Sequence, residues 1–233
     1  MSLAFRTTMV TIKGLTHGLC RIDSRSLEQV PAQGPLILVC NHINFLDAPL
    51  LYTQLMPRPL TGFAKSETWD SPFLRPLFNL GGAIPVRRGE ADMSALREGL
   101  AALEKGYILV ITPEGTRSGD GRLAQGHPGV VTLATRSGAP IQPVAYYGGE
   151  RLYTNLRRLR RTDFHIRVGK PFRVETKGAS LTSALRRQIT DEIMYRLAAL
   201  LPAAYRGVYA DLDGATSDYL RFESKTPGNN IVN

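Results

Sequence analysis

The sequence predicts an α/β fold, a single domain with a mixed, mostly parallel central sheet flanked by helices. Three observations lead there. Short apolar runs recur at segments 36–40, 60–64, 83–86, 107–111 and 141–146, and each is continuous rather than alternating, as expected of strands covered on both faces. Well-punctuated helical patterns lie between several of them, the arrangement expected where helices cover a parallel sheet. At 233 residues with 43% hydrophobic content, the chain is long enough to bury one sizeable core.

Taken in order, residues 1–25 form an N-terminal segment in which Leu3, Phe5, Met9, Val10, Ile12, Leu15 and Leu19 mix with Arg6, Lys13 and His17. The cations interrupt any signal-peptide core, and nowhere does an apolar run reach the roughly 18 residues that would span a bilayer. The segment suits an amphipathic helix, lying at a membrane interface or packed onto the core. Residues 26–210 are read as the main domain. Within it, Ser71 as cap and Pro72 at the first helical position start a helix that Gly81 and Gly82 stop after Leu80. Asp92 caps a second, through Met93, Leu96, Leu100 and Leu103 to Gly106. A third, 182–200, sets Leu185, Ile189, Ile193, Leu197 and Leu200 on one stripe with Arg186, Arg187, Asp191 and Glu192 elsewhere, and Pro202 ends it. Residues 211–233 turn polar and are expected to be a mobile tail.

A formal charge of +9 implies an anionic partner: nucleic acid, a phosphate-bearing substrate or an acidic membrane surface. The two cysteines, Cys20 and Cys40, have neither zinc spacing nor the density of a disulfide framework, which fits a reducing cytoplasm.

Two polar segments follow strands directly. The first is Asn41-His42-Ile43-Asn44-Phe45-Leu46-Asp47. His42 and Asp47 would sit roughly 140° apart on a continuous helix, so they can meet only across a turn that leads into a helix. A carboxylate on one imidazole nitrogen fixes the tautomer and leaves the other nitrogen free to take a proton from a hydroxyl. The alternative is a satisfied core histidine with Asp47 as a helix cap. The second segment is Ile111-Thr112-Pro113-Glu114-Gly115-Thr116-Arg117-Ser118. Loops at the carboxyl ends of parallel strands gather ligands, so the two could share one crevice, with Gly115 permitting close backbone approach and Thr116 and Arg117 suited to a phosphate.

His42 to Asp47 and Glu114 to Ser118 resemble the first and third blocks of the glycerolipid acyltransferase family, of the lysophosphatidic acid acyltransferase type. Gly82-Ala83-Ile84-Pro85-Val86-Arg87-Arg88 resembles the second block and Pro140-Ile141-Gln142-Pro143-Val144 the fourth, in the right order. The resemblance makes 26–210 an acyltransferase domain. It implies that His42, oriented by Asp47, deprotonates an acceptor hydroxyl as it attacks an acyl thioester, with no acyl-enzyme. It also implies that Arg88, Glu114, Gly115, Thr116 and Arg117, with Lys65 as a further phosphate contact, hold the acceptor's glycerol and phosphate, while Pro143 shapes the site. No cofactor is implied beyond acyl-CoA or acyl-carrier protein as co-substrate. Two departures bear on the acceptor: Arg87 stands where relatives often carry an acidic residue, and Thr112 where an aromatic one is common.

The remaining histidines, His17, His127 and His165, read as structural, His127 least so because its loop follows the phosphate-binding turn. Leu156-Arg157-Arg158-Leu159-Arg160-Arg161 mixes charge and apolar residues as a surface meeting anionic headgroups would, or as a solvated loop would. No zinc-finger spacing or RNA-recognition aromatic block supports a nucleic-acid partner, and neither a G-x-S-x-G elbow nor a nucleotide-binding glycine loop is present. His42 and Asp47 fall short of the three protein ligands of a catalytic zinc, so no metal is expected. The sequence therefore points to a peripheral enzyme of phospholipid synthesis on the cytoplasmic side of a membrane, its partners a lysophospholipid, an acyl thioester and an anionic surface. The expected acceptor is 1-acylglycerol 3-phosphate; the competing readings are an acyltransferase for another lysolipid or glycerol 3-phosphate, and a non-catalytic lipid-binding relative.

Overall fold

The five continuous apolar runs become five adjacent strands of a nine-stranded sheet in the computed structural model of the chain, which describes residues 3–87 and 92–222. The strands are β1 (Cys20–Asp23), β2 (Leu36–Cys40), β3 (Leu60–Lys65), β4 (Ile84–Val86), β5 (Ile108–Ile111), β6 (Ile141–Tyr147), β7 (Thr162–Val168), β8 (Phe172–Val174) and β9 (Leu220–Phe222). Their main path is β1-β7-β6-β2-β5-β3-β4, with β8 pairing β6 and β9 pairing β8. β6, β2, β5, β3 and β4 pair in parallel, so their carboxyl ends lie along one edge. β7 runs antiparallel to β6, which makes the sheet mixed as expected.

Period-two geometry explains why β2 is apolar throughout. Ile37 and Val39 point into one core with Leu109, Val131, Ile141 and Ile193, whereas Leu36, Leu38 and Cys40 point into the other with Leu50, Leu51 and Ile166. All five β2 residues are buried. Each such aliphatic side chain contributes roughly 1.5–3 kcal/mol by leaving water.

Helices α1 (Leu3–Leu19), α2 (Asp47–Leu55), α3 (Leu74–Leu80), α4 (Met93–Glu104), α5 (Gly129–Ser137), α6 (Leu152–Arg157) and α7 (Ser183–Ala198) surround the sheet. The Asp92 carboxylate accepts from the amides of Ser94 and Ala95 at 3.1 and 3.0 Å, and Gly106 takes the left-handed φ of +76° that ends α4. α3 starts later than expected. Ser71 Oγ does accept from the Leu74 amide at 3.3 Å, but residues 71–73 form a turn, and regular helix begins only where the chain has passed Pro72.

Two boundaries change. β1 pairs residue for residue with β7, so the edge of the domain lies inside residues 1–25. α1 is a helix packed against α2 and β1, with Met9 and Thr16 buried, while Leu3, Val10 and Leu15 are exposed. Residues 211–222 belong to the fold rather than to a mobile tail, and 223–233 lie outside the described residues. The reason is Glu192, expected on the polar side of its helix but 1% exposed. Its carboxylate accepts from Thr216 Oγ1 at 2.8 Å and from the amides of Asp218 and Tyr219 at 3.0 and 3.1 Å, which leads the chain into β9. A buried carboxylate persists only when paired in this way.

Candidate active site

At the end of β2 the backbone leaves the sheet, and two asparagines fix its course. Asn41 bonds β6 twice, Nδ2 to the Tyr146 carbonyl at 2.9 Å and Oδ1 from the Tyr146 amide at 2.7 Å. Asn44 Oδ1 accepts from the Leu46 amide at 2.8 Å, and Nδ2 donates to the Gly149 carbonyl at 2.8 Å. The turn between them opens α2, whose first residue is Asp47.

There the expected pair meets. His42 Nδ1 lies 2.7 Å from Asp47 Oδ2, which also accepts from the amides of Ile43 and Asn44 at 2.6 and 3.0 Å. An ionised carboxylate can only accept, so Nδ1 carries the proton and Nε2 is left as the acceptor. The His42 side chain is 21% exposed and that of Asp47 4%, which keeps the ring accessible and its anchor buried. Asp47 Oδ1 is buried without a hydrogen-bond partner among the described residues.

The loop after β5 closes onto this turn. The Ser118 amide donates to the His42 carbonyl at 2.8 Å and its hydroxyl does so at 3.2 Å, while the Gly119 amide donates to the Ile43 carbonyl at 3.2 Å. Glu114 is the keystone: Oε1 accepts from the His42 amide at 3.1 Å and Oε2 from the Ala124 amide at 2.8 Å. It is 4% exposed. Both oxygens therefore hold backbone, and Glu114 helps to place His42. Burial raises its carboxyl pKa above the ordinary 4.5, and the amides of Ala124 and His42 partly offset that.

A carboxyl with a raised folded-state pKa contributes stability that is complete below about pH 4.5 and lost as pH rises through the raised value. Glu114→Gln puts an NH2 against one of two part-buried amides, at a cost of about 1 kcal/mol. Tm should fall by several degrees, and the gap from the parent should be widest below about pH 4.5 and narrow as pH rises, as thermal melts across that range will test. The turnover number should drop as well, because a misplacement of about 1 Å can cost on the order of 10²-fold.

Gly115 has a φ of +67°, and a Cβ there would lie 3.2 Å from the His127 ring, so His127 packs on the turn. Thr116 and Arg117 are exposed; neither their side chains nor their amides have a hydrogen-bond partner among the described residues. Lys65 ends β3 along the same edge of the sheet but pairs with Glu67 at 3.0 Å. Arg88 lies outside the described residues. His17 lies on α1 with Nδ1 2.8 Å from the Lys13 carbonyl, and His165 stacks on Tyr147 at 4.6 Å, both as structural residues would. Cys20 and Cys40 are free and buried, and burial pushes the Cys40 thiol up to about 12.

Asn41, Asn44 and the second clamp on the loop were not evident from spacing. The Leu123 amide donates to the Tyr205 carbonyl at 3.0 Å, the Val208 amide to the Leu123 carbonyl at 3.2 Å, and the Gly126 amide to Tyr209 Oη at 3.2 Å. Gly207 must be glycine here, since a Cβ would sit 1.9 Å from the Leu123 carbonyl oxygen at a φ of +53°. The only sequence signal was the polar residue standing at each strand end.

With that geometry in place, comparison with known proteins shows that residues 21–147, more than half of the chain, match the family described as Acyltransferase. The chain belongs to the acyltransferase family. It is 30% identical over 132 residues to the chloroplastic 1-acyl-sn-glycerol-3-phosphate acyltransferase BAT2 of Brassica napus, covering 55% of this chain and 38% of that protein. It is also 30% identical over 161 residues to the lyso-ornithine lipid O-acyltransferase of Pseudomonas aeruginosa, covering 61% of each. The chain thus spans less than two thirds of the length of these relatives. The 1-acyl-sn-glycerophosphate acyltransferase of Thermotoga maritima, solved by crystallography, shares the fold with a TM-score of 0.60 at 22% identity, over 84% of this chain and 80% of that one. The family match ends at β6, so β7, α7 and the clamp from Tyr205 to Tyr209 are built from residues beyond it.

Proposed function

We propose that the protein transfers a fatty acyl group from an acyl thioester to the free hydroxyl of 1-acylglycerol 3-phosphate, giving phosphatidic acid. His42 Nε2 takes the hydroxyl proton as the oxygen attacks the thioester carbonyl. The tetrahedral intermediate then collapses, the C–S bond breaks, and the proton passes from His42 to the departing thiolate. No acyl-enzyme forms, because no protein nucleophile is involved. The observation that carries this reading is the 2.7 Å contact of His42 Nδ1 with buried Asp47, which leaves Nε2 basic on an accessible ring.

Arg117 and Thr116 bind the acceptor phosphate, aided by Lys65 and Arg88. Support comes from Thr116 and Arg117 being exposed, having no hydrogen-bond partner among the described residues, and directly preceding Ser118, whose amide bonds the His42 carbonyl. Their amides are also the open donors of the loop for the oxyanion that develops on the carbonyl. The enzyme works peripherally on the cytoplasmic side of a membrane; among the described residues, no helix is long and apolar enough to cross one.

The deciding assay offers purified protein acyl-CoA or acyl-carrier protein with 1-acylglycerol 3-phosphate, glycerol 3-phosphate and lyso-ornithine lipid. Phosphatidic acid should be the main product. Preference for lyso-ornithine lipid, the acceptor in the Pseudomonas aeruginosa relative's name, would overturn the phosphate-binding role of Arg117 but not the base. Absence of transfer to every acceptor would leave a lipid-binding relative.

A further inference from the structure

The turn after α6 has features that folding does not require. β6 ends beside the catalytic turn, and since β7 returns antiparallel, α6 and residues 158–161 project from the same edge of the sheet as His42. Phe45 of the catalytic turn, 49% exposed, meets Tyr153 of α6 with ring centroids 6.2 Å apart. Beyond Tyr153 come Leu156, 48% exposed, and Leu159, 94% exposed. Leu159 holds a φ of +52°, a conformation that glycine or asparagine adopts at lower cost, yet the position carries an apolar side chain in water. No acidic residue occurs from Arg151 to Thr162. Arg157, Arg158 and Arg160 are exposed and form no ion pair among the described residues. Arg161 differs: it donates to the carbonyls of His17 and Cys20 and ties the end of α1 to this turn.

Resting on the reading that the acceptor is a lysolipid, we propose that this turn is a membrane-docking surface. Leu156 and Leu159 enter the interface of an anionic bilayer, and the unpaired arginines meet lipid phosphates. Apolar tips between unpaired cations complement such an interface in both hydrophobicity and charge. Docking there turns the Phe45 side of the catalytic turn toward the bilayer, so a lysolipid reaches His42 without leaving it fully.

The test compares the parent chain with Arg157→Gln/Arg158→Gln/Arg160→Gln and with Leu156→Ser/Leu159→Asn; asparagine keeps the left-handed turn while removing the apolar side chain. Co-sedimentation uses phosphatidylcholine vesicles with and without phosphatidylglycerol. The parent should bind the anionic vesicles in a salt-sensitive way. At about fivefold per arginine, the triple variant should bind them on the order of 100-fold more weakly, and the leucine variant should be weaker on both. Transfer to lysolipid held in vesicles should fall with binding, and transfer to a short-chain, monomeric 1-acylglycerol 3-phosphate should stay at the parent level. Unchanged vesicle binding by folded variants overturns the proposal. So does a defect confined to acyl-carrier protein as donor, which would assign the arginines to an acidic protein. Vesicle binding is read without turnover, so a parent that docks through this turn but acylates nothing would refute the proposed reaction and leave the surface standing.

Discussion

Replacing His42 by alanine is expected to lower acyl transfer by about 10²- to 10⁴-fold, the usual worth of a positioned general base. Nε2 is the group lost; the acceptor hydroxyl must then give its proton to water. The fold should survive, because the ring is partly exposed and Asp47 Oδ2 keeps the amides of Ile43 and Asn44 as partners. Lysolipid binding should persist, since the proposed phosphate contacts, Thr116 and Arg117, are untouched. The check is kcat and KM for the acceptor beside a thermal melt. A large loss in kcat with little change in KM or Tm supports the assignment, whereas undiminished turnover would remove His42 from the chemistry.

Asp47→Asn should cost turnover nearly as much, on the order of 10²-fold, while disturbing the structure less than the chemistry. One carboxylate oxygen, Oδ2, serves the imidazole and both turn amides, and Oδ1 has no hydrogen-bond partner among the described residues. Asparagine can therefore place its carbonyl oxygen where Oδ2 stood and its NH2 where Oδ1 stood. The tautomer and the turn are kept; the negative charge that steadies a protonated His42 is not. Single-turnover rates with saturating thioester will isolate this step. A variant that melts like the parent and turns over at the parent's rate would reduce Asp47 to the helix-capping role that its position at the start of α2 also allows.

Much of the sheet was legible because its strands are buried on both faces. The run 36–40 could be read as a central strand since no polar residue interrupts it, and the structure buries all five of its residues. β1, β8 and β9 escaped notice for the opposite reason. They are three or four residues long and half exposed, so Cys20–Asp23 is a strand only because β7 supplies its partner. Glu192 misled in the same way, as a charge within an amphipathic pattern reads as solvated until residues 216–219 arrive to satisfy it.

The sequence by itself carried the family resemblance, the order of the blocks and the candidate pair His42 and Asp47, because these depend on residues close along the chain and on chemistry written in their types; the fold closed the pair at 2.7 Å. Only the tertiary structure decided what holds that pair in place. Glu114, 72 residues from His42, supports the His42 amide, and Tyr205 and Tyr209 clamp its loop. Those roles come from hydrogen bonds between segments far apart in sequence. No local periodicity encodes such partners, since a buried carboxylate and a substrate-facing one are the same letter until the fold sets what surrounds them.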